Sequence, residues 1–412
     1  MSERQVSVVI VSRNRPAALL HCLKGIEQQF YDPFEVVIVA DPKGVAAIAG
    51  SIWAGAVKLV EFDQPNISAA RNLGIEAAAG EIVAFIDDDA VPEPSWLGHL
   101  VAAFQQEDIA AAGGFVRGRN GISFQSKARF VDRVGDHRAI PMAEDAIAHP
   151  VPPEGQAVKT EGTNCAFRRE WLCELGGFDP AFQFYLDGTD LNLRLARAGA
   201  KTAIVPMAQV HHGFASSAQR HQSRMPRDLS EIGASQVVFL RKFAPEDRHE
   251  AALQNMRKDQ RARLLRHMVA GRCEPGDVDR VLATLEAGFK AGETRSVQPL
   301  PKLGGASQAF KRFVPSRIFE GSCEIAGRIW SAGRLRRQAA EEVRNGRRVS
   351  LFLFSPTTMY HKVRFHPDGY WEQRGGIFGR SDRDQAIFQR ETFNSRVIRE
   401  MNRVQSFRKA ED

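Results

Sequence analysis

A short apolar run that ends in three consecutive aspartates is the feature that most constrains this chain. Residues 82–86 have the length and composition of a buried strand, and Asp87, Asp88 and Asp89 follow directly. Carboxylates this close repel one another, so they are tolerated at an exposed strand end or where a divalent cation neutralises them. The run therefore predicts a strand whose acidic end holds Mg²⁺ or Mn²⁺; a solvated acidic turn is the alternative.

Strands and helices alternate before this point. The apolar runs at residues 6–11 and 35–39 are each followed by turn residues, and residues 68–80 have the composition of a helix. Strands that are apolar along their whole length indicate a parallel sheet covered on both faces, so we expect an α/β fold. Ligands of such sheets bind beyond the carboxyl ends of the strands, where Ser12, Asn14 and Asp41 are expected to join the aspartates.

Six segments in order carry a resemblance to a known family. Residues 8–15, 66–74 and 85–89 resemble successive motifs of the family 2 glycosyltransferases with a GT-A fold, and three later segments resemble the acceptor half of that fold. The later segments are residues 161–169, 175–179 and 185–195. The resemblance implies a Rossmann-like, mostly parallel sheet flanked by helices, and transfer of a sugar from a nucleotide diphosphate sugar to an acceptor hydroxyl with inversion.

The same resemblance assigns roles around the metal. Asp89 is expected to coordinate Mn²⁺ or Mg²⁺, which stabilises the departing diphosphate as a Lewis acid. Asp88 is expected near the ribose and the metal, and Asp87 either contacts the ribose or orients the loop. A histidine often completes the site, so His211 is the expected ligand, with His212 as the next candidate.

The resemblance also assigns nucleotide contacts. Ser12, Asn14 and Asp41 are expected to cradle the base and ribose. Many relatives carry two acids where only Asp41 stands, so one polar contact is expected to be missing or shifted. Arg71 is expected to reach a phosphate, with pairing to a surface acid as the alternative. Arg220 is a candidate to cover the phosphates as part of a closing loop.

The catalytic base is the least settled assignment. An inverting transfer needs an ionised carboxylate within reach of the attacking hydroxyl. Relatives place two adjacent acids here and use the second, but Gly188 occupies that position. Three outcomes stay open: Asp187 acts as the base, Asp190 does, or the protein has lost chemical competence. Asp187 could instead only cap the following helix, and Asp190 could only favour its positive end.

The chain is long enough for more than one domain. We expect a catalytic domain over residues 1–245 and a helical region over 246–345, with a linker near 297–305. A small C-terminal segment over 346–412 is expected to contain a hairpin, because residues 363–365 and 370–372 flank a His-Pro-Asp-Gly turn.

Charge and composition bear on partners. The net charge is +7, and residues 328–344 form an Arg-rich helix pattern that could lie on an anionic leaflet, where lipid-linked acceptors are found. A solvated helix face is the alternative. The sequence shows no nucleic-acid-binding motif. No apolar stretch is long enough to span a bilayer, so a cytoplasmic location is expected, with peripheral contact at the inner face of the cell membrane.

Two functional hypotheses follow. In the first, the protein is a metal-dependent inverting glycosyltransferase of cell-surface polysaccharide or lipopolysaccharide synthesis that uses a glycan or lipid-linked acceptor. In the second, Gly188 marks a degenerate domain that binds a nucleotide sugar and serves as a scaffold.

Overall fold

The computed structural model describes residues 4–213, 221 and 223–409. In chain order the strands are β1 (Val6–Ser12), β2 (Phe34–Ala40), β3 (Lys58–Glu61), β4 (Ile82–Asp87), β5 (Ala90–Pro92), β6 (Ile109–Arg117), β7 (Phe124–Ser126), β8 (Arg129–Val131), β9 (His137–Ala139), β10 (Ala157–Lys159), β11 (Cys165–Arg168), β12 (Lys201–His212), β13 (Ser322–Arg328), β14 (Arg348–Ser355), β15 (Lys362–Phe365) and β16 (Trp371–Gly376). The helices are α1 (Pro16–Ile26), α2 (Pro42–Ala49), α3 (Ile67–Ala77), α4 (Trp96–Ala102), α5 (Arg169–Glu174), α6 (Asp187–Arg197), α7 (Ser230–Phe243), α8 (His249–Val269), α9 (Pro275–Thr294), α10 (Ala332–Arg344) and α11 (Phe393–Arg408).

The largest sheet has the strand order β3-β2-β1-β4-β11-β6-β12-β5, with β7 paired to β6. β1 pairs in parallel with β2 and β4, β12 pairs in parallel with β6, and β11 runs antiparallel between β4 and β6. The predicted α/β fold with a mostly parallel sheet is therefore confirmed. A small antiparallel sheet, β10-β8-β9, lies beside it.

Helices cover both faces of the large sheet, which is why its strands are apolar throughout. Phe85 of β4 packs in one cluster with Phe178 and Leu191, whereas its neighbour Ile86 packs in another with Trp96. Successive side chains of a strand point to opposite faces, so β4 contributes to two cores. Burial of each such side chain contributes about 1.5–3 kcal/mol. Residues 82–86 of β4 are thus buried in the two cores, and the aspartates follow them.

The helical region follows the large sheet but does not begin at the expected boundary. α7 shares a core with α8 and α9 through Val237, Leu264 and Leu285. α7 and α9 cross so closely that a side chain at Gly288 would lie 2.1 Å from the carbonyl oxygen of Ser230. The boundary predicted after residue 245 therefore separates helices that pack together.

The C-terminal unit, residues 322–408, is a four-stranded sheet in the order β13-β14-β16-β15 with two helices. The expected hairpin is confirmed: β15 and β16 pair antiparallel, with Phe365 opposite Trp371. The helical expectation for 246–345 is wrong at its end, because β13 lies within that range and pairs with β14 along its full length. β13 has few large apolar residues, and its strand conformation depends on this tertiary pairing.

The Arg-rich helix α10 does not present its apolar side to solvent. Leu335, Ala339 and Val343 are buried against the C-terminal sheet, and Arg336 pairs with Glu372 at 2.6 Å. These apolar residues of α10 therefore belong to the C-terminal core, whereas Trp330, just before the helix, is 70% exposed. None of the helices within the described ranges has the length and apolar character needed to cross a bilayer.

The C-terminal unit packs back onto the large sheet. Arg408 of α11 makes two hydrogen bonds to Glu93, at 2.8 and 2.9 Å, and Trp371 packs against Val91. Glu93 and Val91 belong to β5 and the residue after it, next to the acidic strand end. The C-terminal unit therefore supports the edge of the large sheet that carries the aspartates.

Candidate active site

Asp88 is the most buried of the three aspartates. Its carboxylate accepts a hydrogen bond from the Ser12 hydroxyl at 2.7 Å and pairs with Arg15 at 2.6 Å. Burial raises the pKa of Asp88 to about 7, although Arg15 opposes the shift. Asp88 thus ties the end of β4 to the loop after β1, and it faces the interior rather than the open cleft.

Asp87, Asp89 and His212 form a group that could hold a metal ion. One ligand atom from each residue lies within 4.8 Å of the others. Asp89 Oδ1 is 3.1 Å from His212 Nε2, and Gln125 Oε1 is 3.1 Å from His212 Nδ1. A neutral imidazole that donates through Nδ1 to Gln125 leaves Nε2 as a ligand atom, the usual arrangement at a metal site. Two carboxylates and one imidazole suit Mn²⁺ or Mg²⁺.

His211, the expected metal ligand, lies on the other side of β12. Its Nε2 is 2.8 Å from Glu93 Oε1, and its ring packs against Trp371 with centroids 4.5 Å apart. Burial lowers the pKa of His211, and the Arg408 guanidinium holds the pKa of Glu93 well below its usual range despite burial. The assignment is corrected to His212, because adjacent residues of a strand point to opposite faces.

A first cleft of about 460 Å³ lies beside the acidic end, between the loop after β1 and the start of α3. Ser12, Asn14 and Asp87, three of the residues expected to contact the nucleotide, line it. Asn14 adopts a left-handed backbone with φ 59°, which turns the loop toward the cleft. The size and the polar rim suit a nucleoside.

Asp41 is placed differently from the prediction. It is buried outside the cleft lining, where its carboxylate accepts hydrogen bonds from the backbone N–H of Gly44 at 3.3 Å and of Asn14 at 3.2 Å. Asp41 is therefore the N-cap of α2. It positions the Asn14 backbone and does not itself line the cleft.

A second cleft of about 320 Å³ lies next to the first, and the two share Arg15 and Asp87. Asp89 and His212 line the second cleft, so the candidate metal group lies at the junction. The opposite wall is the start of α6. Two ligands in the two clefts would therefore meet beside the carboxylates.

Arg71 is buried in the wall between the clefts and contacts two acids. It pairs with Asp187 and lies 3.4 Å from Asp87, and its guanidinium stacks on the Phe178 ring at 5.1 Å. The alternative of a surface ion pair is wrong, since Arg71 is 5% exposed. Its charge is divided between the acidic strand end and the start of α6.

The two candidate bases, Asp187 and Asp190, lie in different surroundings. Asp187 lines the second cleft, and burial raises its pKa although Arg71 opposes the shift. The N-cap of α6 is Leu186, which has a left-handed φ of 65° and makes no side-chain cap bond, so Asp187 is not the helix cap. Asp190 does not line either cleft; it is fully buried and pairs with Arg194 at 2.7 Å and with Lys242. The catalytic assignment of Asp190 is therefore corrected to a structural one.

Gly188 stands at the mouth of this cleft. A Cβ built there would meet no atom within 4 Å. Packing therefore does not require the glycine, which leaves open space at the position where the family resemblance implies an acid. Gly188 itself has no side chain that could act as the catalytic base.

Sequence reasoning missed several groups at the site. Lys159 lies in the second cleft, with Nζ 3.4 Å from Thr189 Oγ1 and 3.8 Å from Glu161. Arg15 and Gln125 were missed as well, and both contact the metal group. The available signal for Arg15 was its place among the polar residues after β1, where ligand contacts were expected. Short strands such as β7 and β10 left no signal for the others. Arg220 lies outside the described residues.

Comparison with known proteins identifies the class. Residues 4–230, more than half of the chain, match the sequence model described as "Glycosyltransferase like family 2". The chain belongs to this family.

Curated relatives are similar to about half of the chain. The O-antigen biosynthesis protein RfbC of Myxococcus xanthus is 27% identical over 237 residues, which cover 52% of this chain and 18% of the relative. The glucosyl-dolichyl phosphate glucuronosyltransferase of Haloferax volcanii is 30% identical over 188 residues, which cover 42% of this chain and 56% of the relative. The chain thus spans only part of the length of either relative.

Two solved structures are similar to part of the chain, each with a TM-score of 0.44. GalNAc-T7 with UDP, GalNAc and Mn²⁺ is 19% identical and covers 58% of this chain and 48% of its own. The mannosyltransferase PcManGT of Pyrobaculum calidifontis with GDP-Man and Mn²⁺ is 20% identical and covers 71% of this chain and 88% of its own.

Proposed function

We propose that the protein is a metal-dependent inverting glycosyltransferase that uses a nucleotide diphosphate sugar. One observation carries this proposal: the Asp87, Asp89 and His212 group lies where a nucleoside-sized cleft and a second cleft meet. In this arrangement the nucleoside binds between the β1 loop and α3, and the diphosphate lies at the junction. A divalent cation held there would supply Lewis-acid stabilisation of the leaving diphosphate.

The basic residues around the junction suit the leaving group. Arg15 is 3.3 Å from Asp89, and Arg71 is 3.4 Å from Asp87. Arginine beside a diphosphate makes charge-assisted hydrogen bonds to its oxygens. Both residues are thus placed to offset the negative charge that develops on the diphosphate as it leaves. A cation held by the carboxylates would act with them.

Asp187 is our choice for the base. It is the candidate carboxylate on the wall facing the metal group, since Asp190 is buried in ion pairs. A carboxylate with a raised pKa is a stronger proton acceptor when ionised, which favours deprotonation of an acceptor hydroxyl. Arg71 favours the ionised form of Asp187, because it opposes the effect of burial on the pKa.

The acceptor belongs to the second cleft. We propose a glycan or lipid-linked acceptor of cell-surface polysaccharide or lipopolysaccharide synthesis, because two similar proteins carry names that refer to O-antigen biosynthesis and to a dolichyl phosphate substrate. The corresponding place of action is the cytoplasmic side of the membrane.

The test is release of nucleoside diphosphate from a panel of UDP- and GDP-sugars, with and without Mn²⁺. The proposal expects turnover of at least one donor that depends on Mn²⁺ and is abolished in Asp187→Asn while donor affinity is kept. The scaffold hypothesis, which rests on Gly188, expects donor binding with no turnover for the whole panel. Turnover that persists in Asp187→Asn would overturn the base assignment.

A further inference from the structure

A third cavity lies where the C-terminal unit meets the large sheet. It encloses about 300 Å³. One wall is the loop between β6 and β7, including Asn120 and Ser123. The other wall comes from the start of β15 and the residues after β16, including Lys362, Arg380 and Arg383. The cavity is thus built by two units of the fold together.

Backbone contacts hold the two walls together. The backbone N–H of Val363 donates to the Asn120 carbonyl at 2.8 Å. Gly121 has a positive φ of 66°, and a Cβ there would lie 2.1 Å from the Val363 carbonyl oxygen. Only glycine allows this approach. The cavity is therefore preformed.

The cavity has an excess of positive charge. Lys362, Arg380 and Arg383 make no ion pair with any residue in the part of the chain that the structure describes. The one acid in the lining, Asp382, pairs with Arg403 at 2.8 Å. Three cations without acidic partners around a small cavity suit an anion that carries more than one charge, such as a phosphate or diphosphate.

The floor of the cavity is held from behind. His361 and Ser381 line it and are buried, at 3% and 6% exposure. The fully buried Arg396 donates to both, at 2.7 Å each. This support fixes the polar floor, while the charge of Arg396 is itself paired with Glu391 and Glu400, each at 3.3 Å.

Exposed apolar side chains stand in the same two C-terminal segments that supply the cations. Tyr360 lines the cavity and is 56% exposed, and three more follow or precede lining residues in the sequence: Met359 46%, Ile387 64% and Phe388 58% exposed. Exposed apolar groups beside a polar site mark contact with another molecule. A free inorganic anion would not use them.

The cavity adjoins the second cleft. Ser123 lines the cavity, and Gln125, two residues along, lines the cleft and contacts His212 at 3.1 Å. Two residues of extended chain span about 7 Å. A phosphate in the cavity and a sugar hydroxyl beside the metal group are thus separated by a distance that one acceptor molecule can bridge.

We infer that this cavity, which we call the C-terminal pocket, binds the phosphate or diphosphate of an acceptor that carries an apolar chain. Because it names an acceptor, this inference rests on the proposed glycosyl transfer. The C-terminal unit then selects the acceptor, while the large sheet binds the donor.

The test is calorimetric binding to the full chain in EDTA, without donor, using decyl phosphate below its micelle concentration and inorganic phosphate. We expect decyl phosphate to bind more tightly than inorganic phosphate, and the double variant Arg380→Gln, Arg383→Gln to lose at least tenfold in affinity for decyl phosphate. Arg390→Gln, an exposed arginine of the same unit outside the pocket, should keep wild-type affinity. Lys362→Gln, on β15, provides an independent second variant.

Equal affinity of the double variant and the wild type would overturn the inference. So would decyl phosphate binding no more tightly than inorganic phosphate, which would indicate a free-phosphate site. Binding to phosphatidylglycerol vesicles but not to monomeric decyl phosphate would overturn it too, in favour of a headgroup contact. The assay needs neither metal nor turnover, so its failure is distinct from failure of the proposed transferase activity.

Discussion

Two acidic clusters, one at the end of β4 and one at the start of α6, differ in how many of their carboxylates remain available. At the strand end Asp88 is buried in hydrogen bonds, and Asp87 and Asp89 face the clefts. At the helix start Asp190 is buried in ion pairs and Asp187 faces the cleft. The comparison teaches that an acid is available for chemistry where its carboxylate lines a cleft, even when an arginine pairs with it, and not where it is buried away from the clefts.

The largest effect is expected at the strand end. Asp89→Asn removes a carboxylate from the candidate metal group and should lower kcat/KM by roughly 10³, about 4 kcal/mol of leaving-group stabilisation. Steady-state kinetics at several Mn²⁺ concentrations measures the loss. Asp108→Asn, at an exposed acid paired with Lys201, is the control and should remain within twofold of wild type. Comparable activity of Asp89→Asn and wild type would contradict a catalytic role for a metal at this site.

At the helix start, Asp187→Asn should lower kcat by about 10² to 10³, the usual contribution of a general base. The affinity for the donor should change little, because Asp187 lies on the acceptor side of the junction. Single-turnover kinetics and donor titration separate the two quantities. A variant that loses donor binding and keeps kcat would place Asp187 on the donor side.

Asp190 offers the matched contrast in stability. Asp190→Asn takes the carboxylate partner from Arg194 and one of two buried acids from Lys242, which keeps Asp179, and should reduce the free energy of unfolding by about 3 kcal/mol. Asp187→Asn should cost much less, since the raised pKa of Asp187 means that its charge is unfavourable in the folded state. Urea unfolding midpoints compare the two. Equal losses would contradict the division into structural and available acids.

A smaller effect is a shift in pH dependence. The base must be ionised, so activity should rise with pH through the pKa of Asp187, which burial raises above the ordinary value of 3.8. Arg71→Met removes the cation that opposes this rise, so the acid limb of kcat/KM should move to higher pH, whereas Arg71→Lys should move it less. An acid limb that moves to lower pH would exclude the Arg71 and Asp187 pairing from the mechanism.

The sequence predicted the parts of the molecule that local patterns determine. The alternation of apolar strands and helices indicated the sheet, and the aspartates after residue 86 indicated the strand end at which the clefts lie. These features depend on strand composition and on the position of polar residues after strands. The hairpin at residues 363–372 was predicted for the same reason, from its turn sequence.

Other features depend on tertiary register, which single-sequence patterns do not contain. The choice between His211 and His212 depends on which face of the sheet each side chain points to, which follows from the register of β12 with β5, a three-residue strand with no signal of its own. Asp190 and Asp187 differ because Arg194 and Lys242 reach only Asp190. β13 is a strand because β14 pairs with it.

The most direct test of the account uses the two adjacent histidines. Calorimetric titration of Mn²⁺ should be carried out in the presence of UDP or GDP with His212→Gln and His211→Gln. The account predicts that His212→Gln weakens Mn²⁺ binding at least tenfold, whereas His211→Gln, which can still hydrogen-bond to Glu93, binds Mn²⁺ as the wild type does. Equal affinity in the two variants, or no Mn²⁺ binding by the wild type, would contradict a metal centre formed by Asp87, Asp89 and His212.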